Sequence, residues 1–259
     1  MSEQASQAGH WYTRDGAPMY EVEARKGGMR PTTIRDAVKL DLVPSVTLIL
    51  SVAAKPGLEA WKAKQILEAS LTLPWNDGES IDEYAARVME DSKAQSIKAR
   101  EQGTALHAAI ERSIRGEDAY EWSEHINAIW TAADQYGLDL TSGEAEHSFA
   151  STSFGYGGKI DFHRDDPPFV CDFKTKNDIQ DSKQLVWPEH VQQLAAYGFG
   201  LFPAQNFRAF NIFIGLEDKQ VRVVEHEWPD LVEAFAQFRC LLEYWQRIKR
   251  FGHYARNGA

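Results

Sequence analysis

Two hydrophobic periods divide this chain. In the first half apolar residues recur every three or four positions, the spacing of a helix with one buried face; in the second half they alternate or run together, as in strands. "KPGLEAWKAKQILEA" and "SIDEYAARVMEDSKAQSIKAREQ" predict helices, the second opened by Ser80 and Glu83 at capping-box spacing. A further helix is expected from Gly103 to about Ile114, and another from about Trp122 to Tyr136, stopped at Gly137. Ahead of them, "HWYTRDGAPMYEV" has the pattern of a small hairpin turning at Asp15-Gly16. "PSVTLILSV" is β-branched enough for a strand, yet Ser45 could equally open a helix there.

From Asp139 to Thr175 the pattern becomes strand, turn, strand, turn, strand. A helix from about Pro188 to Leu201 follows, then strands in "FRAFNIFIGL" and "KQVRVVEHEW". A closing helix runs from about Pro229 to Arg250, apolar at Leu231, Phe235, Phe238, Leu242 and Trp245. No linker separates the halves. We therefore expect one α/β domain over residues 1–259: a mainly helical portion over 1–137 with a short N-terminal hairpin, then a β-β-β-α-β-β-α core over 138–259.

Composition narrows the function classes. At 43% hydrophobic residues the chain can build a core. Its net charge of -10 argues against a wholly basic coat for nucleic acid but leaves room for a local basic groove. The two cysteines, Cys171 and Cys240, cannot supply a zinc finger, an iron–sulfur cluster or a disulfide framework. No basic-then-apolar leader and no membrane-length apolar run is present, so a cytoplasmic protein without a membrane partner is expected.

The candidate chemistry lies in "FVCDFKTK", residues 169–176, where Asp172 and Lys174 interrupt an apolar strand. Charges in such a strand are costly unless paired or bound to metal. The preceding strand, "YGGKIDFHR", is interrupted in the same way, with Ile160 and Phe162 expected on one face and Lys159, Asp161 and His163 on the other. A turn centred between Asp166 and Pro167 would set Asp161 directly across from Asp172, with Cβ atoms about 5 Å apart. Opposed carboxylates are held together by a divalent cation or a shared proton. The other Asp-x-Lys copies, at Asp91 and Asp181, sit in polar surroundings and read as solvated surface.

These residues resemble a known family. "GGKIDF", "FVCDFKTK" and "QQLAAY", preceded by "GTALHAAIE", resemble the PD-(D/E)XK nuclease superfamily in its RecB-like branch, phage-type exonucleases included. "WYTRDGAPMYEV" and "LVPSVTLIL" resemble leader segments of such exonucleases, and "PSVT" the start of mitochondrial genome maintenance exonucleases. The order of four motifs is more specific than any one of them.

The resemblance implies a restriction-endonuclease-like core, a mixed central sheet flanked by helices. It implies Asp161, Asp172 and Lys174 as catalytic residues. His107, Glu146, Asp161, Asp172 and the backbone carbonyl of Phe173 become ligands of one or two Mg²⁺ or Mn²⁺ ions. Gln193 and Tyr197, four apart on one helix face, become contacts to DNA or supports for Lys174, with Gln192 the alternative if the helix is rotated. Glu111, one turn beyond His107, stays outside the metal set, and His163 is at most a phosphate neighbour. The four cysteines of the iron–sulfur members are missing, which excludes that cofactor. The expected activity is a metal-dependent DNA exonuclease of phage or bacterial recombination, acting on DNA and compatible with a single-strand annealing or recombination protein as partner. The rivals are a structure-selective endonuclease on the same core and a non-catalytic DNA-binding subunit. Small basic groups (Arg25, Lys26 and Arg30; Lys62 and Lys64; Arg112 and Arg115; Arg247, Lys249 and Arg250) read as solvated faces.

Overall fold

A computed structural model of the chain describes residues 9–180 and 184–254; Asp181 and Lys183, one of the polar Asp-x-Lys copies, lie outside them. The fold is α/β. Its centre is a mixed five-stranded sheet in sequence order: β5 (Glu144–Ser151), β6 (Tyr156–Asp165), β7 (Pro168–Lys176), β8 (Arg208–Gly215) and β9 (Val221–His226). Neighbouring strands are antiparallel except β7 and β8, which are parallel and need a crossover. Helix α6 (Pro188–Leu201) supplies it, opened by Pro188 in the first turn, where a missing N–H costs nothing.

Helices cover both faces of the sheet. On one, α2 (Val46–Leu50), α6 and α7 (Trp228–Lys249) bury Ile49, Leu194, Phe235, Phe238 and Trp245 against Phe149, Tyr156, Ile160 and Val170. On the other, α4 (Ile81–Ile114) and α5 (Ser123–Gln135) bury Leu106, Ile110, Ile126 and Ile129 against Phe162, Phe169, Phe173, Phe210 and Ile212. Strand β8, packed from both sides, reads as a continuous apolar run broken by one polar residue, Asn211. Among the described residues no helix is long and apolar enough to cross a membrane.

The helical hairpin of α3 (Pro56–Thr72) and α4 forms where the periodicity predicts it, with the Ser80–Glu83 capping box in place. The expected break at Gly103 does not occur. Helix α4 runs through it, and the glycine marks a close approach to β7: a Cβ there would lie 2.7 Å from the Thr175 hydroxyl.

The N-terminal hairpin forms as expected: Met19 donates to the Trp11 carbonyl and Thr13 to that of Ala17, both at 2.8 Å. The Asp15-Gly16 turn forms, with Gly16 at φ 93°, and Tyr12 bridges Pro18. It also gains a second partner: β1 (Trp11–Tyr12) takes its ladder from β4 (Val43–Pro44), while β2 (Glu21–Glu23) pairs with β3 (Met29–Pro31). Ser45 resolves its own ambiguity: its hydroxyl accepts from the Leu48 N–H, and "VTLIL" is the short helix α2.

Candidate metal centre

The β6–β7 hairpin has the register expected from its turn. Phe162 faces Cys171, His163 faces Val170 and Arg164 faces Phe169. The ladder stops one step short of pairing Asp161 with Asp172. There the Asp161 carboxylate itself accepts the Phe173 N–H, at 2.7 Å. The two strands therefore part at the two aspartates, and a side chain replaces a ladder carbonyl.

A second irregularity lies on β5. Glu146 has a φ of 57°, in the left-handed region that a non-glycine residue rarely adopts. It lies at the step of the β5–β6 register opposite Asp161, between Ala145↔Phe162 and His147↔Ile160. Alternation changes sense there. Ile160 packs with α6 and α7, whereas Phe162 packs with α4 and α5. The expectation that both share one face is thus corrected, and the cause is the twist at Glu146 and Asp161.

That twist assembles a cluster. His107 comes down on α4, and its Nδ1 is 3.7 Å from Oδ2 of Asp161. One donor atom each from His107, Glu146 and Asp161 lies within 4.8 Å of the others. Lys159 forms an ion pair with Glu146 at its rim. Burial and the nearby charge of Asp172 push the Asp161 carboxyl up to about 6, from an ordinary 3.8.

Asp172 and Lys174 stand beside this cluster. The Lys174 ammonium is 2.9 Å from Oδ1 and 2.8 Å from Oδ2 of Asp172, and it donates to Oε1 of Gln193 at 3.1 Å. Burial acts to lower the pKa of Lys174, but the charges of Asp172 and Asp161 outweigh it and hold the value above the ordinary one. The lysine is therefore a fixed cation. Gln193 in turn donates from Nε2 to the Tyr197 hydroxyl at 3.0 Å. The rotated-helix alternative is settled, since Gln192 faces away and donates to Gln237.

Asp172 is nearly fully buried, and its second support comes from behind: Asn211 donates to Oδ2 at 2.9 Å, and His226 bonds the Asn211 carbonyl oxygen at 2.8 Å. This relay was not anticipated. Its signal was a lone asparagine inside "AFNIFIG" on the strand neighbouring "CDFK".

A cleft of about 320 Å³ opens over the group and is lined by His107, Asp161, Asp172, Phe173, Lys174, Gln193 and Tyr197. Every sequence-predicted site residue except Glu146 lines it, and Glu146 joins through the His107–Asp161 cluster. His10, Tyr12, Tyr20, Ser45 and Thr47 of the N-terminal segment line the same cleft. Composition pointed to none of these five, because aromatic and small polar residues near a turn look the same on any surface. His163 does not reach the cleft; it is buried against His147 and Phe202. Glu111 pairs with Arg115. The basic groups are mostly matched locally, Arg30 by Asp36, Lys62 by Glu59, Lys64 by Glu68, Arg112 by Glu121 and Arg247 by Glu243.

Two carboxylates and one imidazole are a set that could hold a metal ion. Both oxygens of Asp172 are already engaged by Lys174 and Asn211, so this carboxylate stands outside the three-donor group.

No protein-family model matches the chain, and no curated protein matches it. Among solved structures it is similar to one described as the crystal structure of SSO0001, at 14% identity, over 72% of this chain and 87% of that one, with a TM-score of 0.28. A score that low does not establish a shared fold.

Proposed function

We propose that the protein is a Mg²⁺- or Mn²⁺-dependent deoxyribonuclease with a PD-(D/E)XK core of the RecB-like kind, and that it degrades DNA from its ends. The observation that carries this reading is the convergence of His107, Glu146 and Asp161 within 4.8 Å, next to a buried Asp172–Lys174 pair. The residues come from one helix and three strands and are far apart in sequence. An ordinary buried ion pair needs neither the histidine nor the second and third carboxylates.

Within the cleft, His107, Glu146 and Asp161 would hold the ion, with Asp172 joining if it releases one oxygen from its present partners. A bound divalent cation supplies charge neutralisation at the scissile phosphate and acidifies a water. The chain's own groups do the rest. Lys174, held by Asp172 and Gln193 at the cleft, would stabilise charge that grows on the phosphate in the transition state. The neighbouring carboxylates favour its protonated form, which suits it to donating hydrogen bonds. Asp161 fixes the Phe173 peptide by accepting its N–H, which orients the Phe173 carbonyl proposed as a further ligand. Gln193 and Tyr197 form a short polar chain that holds Lys174 and borders the DNA path.

Exonuclease action is favoured over internal cleavage by the lining of the cleft. Residues of the N-terminal segment and of α4 border it beside the strands, and a bordered cleft admits a threaded strand more easily than a continuous duplex. The experiment is an assay on end-labelled linear DNA and covalently closed circular DNA with Mg²⁺, Mn²⁺ or EDTA. Linear DNA should be shortened only with metal, while circles survive. Equal cleavage of both would replace the exonuclease with the endonuclease rival. Binding without cleavage under every condition would leave the non-catalytic subunit.

A further inference from the structure

One step along β5 and β6 from the cleft, Glu144, His147 and His163 make a second group. One donor atom from each lies within 4.8 Å of the others. Glu144 and His163 are directly opposed across the β5–β6 ladder. His147 should not reach them, since residues three apart in a regular strand point to opposite faces. It does: its Nδ1 is 2.7 Å from Oε2 of Glu144, and its ring centroid is 4.5 Å from that of His163. The left-handed Glu146 between them turns the strand and makes this possible.

His163 carries the second, independent observation. It is only 5% exposed, and its Nδ1 is buried without a well-formed hydrogen bond, although the Glu144 backbone lies near the ring. An unpaired buried ring nitrogen is costly and calls for an explanation. Its Nε2 is 3.4 Å from Oδ1 of Asp165. A carboxylate beside one ring nitrogen can orient an imidazole that binds metal through the other. On the outer side Glu144 is largely exposed, so an ion has an entry path and solvent can complete its shell.

We propose that Glu144, His147 and His163 form a second metal site, for a Zn²⁺-class transition ion, that clamps β5 to β6. Two imidazoles and one carboxylate form a donor set suited to Zn²⁺ rather than to Mg²⁺. Ligand bonds of about 2 Å bring tetrahedral donors to about 3.3 Å from each other, so donors now within 4.8 Å would draw together around the ion. The clamp acts where it matters. Glu144 and His147 bracket Glu146, and His163 is two residues from Asp161, so a bound ion holds the twist that brings Glu146 and Asp161 together. The site concerns a different ion from that of the nuclease reading and stands without it.

The test is zinc stoichiometry on chelator-stripped protein, by calorimetry and by the visible bands of Co²⁺ as an optical probe. Asp161→Asn weakens the cleft and leaves this group intact; it should retain one equivalent of Zn²⁺. Adding Glu144→Gln and His147→Ala, at two positions that are not buried, should remove that equivalent or weaken it at least 100-fold, with circular dichroism unchanged. Should the triple variant lose its fold, His147→Gln alone in the Asp161→Asn background must still weaken zinc. If Asp161→Asn binds no Zn²⁺, or if the triple variant binds as tightly as Asp161→Asn, the site does not exist. Absence of DNA cleavage beside intact zinc binding would remove the nuclease reading and leave this site standing.

Discussion

Replacing Asp161 by asparagine should stabilise the metal-free protein at alkaline pH and destabilise it in acid. The Asp161 carboxyl is raised by burial and by the charge of Asp172 from 3.8 to about 6, a penalty on its charged form of about 3 kcal/mol. A carboxyl with a raised folded pKa binds its proton more tightly when the chain is folded. Its contribution to folding is therefore full below about pH 4, fades as the pH rises toward 6, and is gone above that. Asparagine never ionises, so it escapes the penalty. It keeps an oxygen to accept the Phe173 N–H, although a neutral acceptor gives up about 1 kcal/mol against a carboxylate. The balance is a variant about 1–2 kcal/mol more stable than the wild type at pH 8 in chelator. At pH 4 it should be equal or slightly less stable.

Urea unfolding from pH 4 to 8, with EDTA throughout, measures this directly. A second series with Mn²⁺ should reverse the order at pH 8, because an ion that binds only the folded wild type at 100 times its Kd adds about 2.7 kcal/mol. A stability difference that does not vary with pH would refute the electrostatic account of Asp161. A variant less stable than the wild type at pH 8 in EDTA would refute it more directly.

Three further outcomes follow from the geometry. Lys174→Met should abolish DNA cleavage and cost about 3–5 kcal/mol in thermal or urea unfolding, since it strands a buried Asp172 charge; Asp172→Asn in the same chain should recover most of the stability and none of the cleavage. Asn211→Ala removes the donor to Oδ2 of Asp172 and should cost about 1–3 kcal/mol, read by the same unfolding, together with a drop in cleavage rate at saturating metal. Gly103→Ala places a methyl 2.7 Å from Oγ1 of Thr175 but 3.8 Å from its Cβ, so it should destabilise by about 1–3 kcal/mol and displace His107; adding Thr175→Ala should restore most of the loss, and a double variant no better than the single would refute the packing argument.

The sequence was legible wherever one physical rule acted alone. Helix α6 follows from Pro188 and its apolar stripe, and α7 from the period of Leu231, Phe235, Phe238, Leu242 and Trp245. The β6–β7 register follows from a short turn containing Asp166-Pro167, which leaves few ways to pair the strands. Legibility failed where a distant contact overrode or added to the local rule. Gly103 has the look of a boundary where a new helix starts, and only Thr175, 72 positions later, shows that it is a place of close packing inside one long helix. Tyr12 is half of the local hairpin, bridging Pro18, but its second partner, Val43, is announced by no local pattern.

The candidate site obeys the same division. Asp161, Asp172 and Lys174 stand out because charge in an apolar strand has to be compensated. The second line of compensation could not be read, because it uses neutral residues. Asn211 and His226 carry no charge pattern, yet they hold the carboxylate that holds the lysine. Glu146 is the instructive case. By alternation it is an ordinary surface glutamate, and no period marks it as different. Its left-handed backbone turns it toward His107 and Asp161, and the same turn carries His147 toward Glu144 and His163. A strained, non-glycine residue persists when the surrounding structure over-determines it. Here the Lys159 ion pair holds its side chain and the β5–β6 ladder holds the strand on either side. One backbone irregularity thus builds both donor clusters, and it is visible only once the strand is seen in three dimensions.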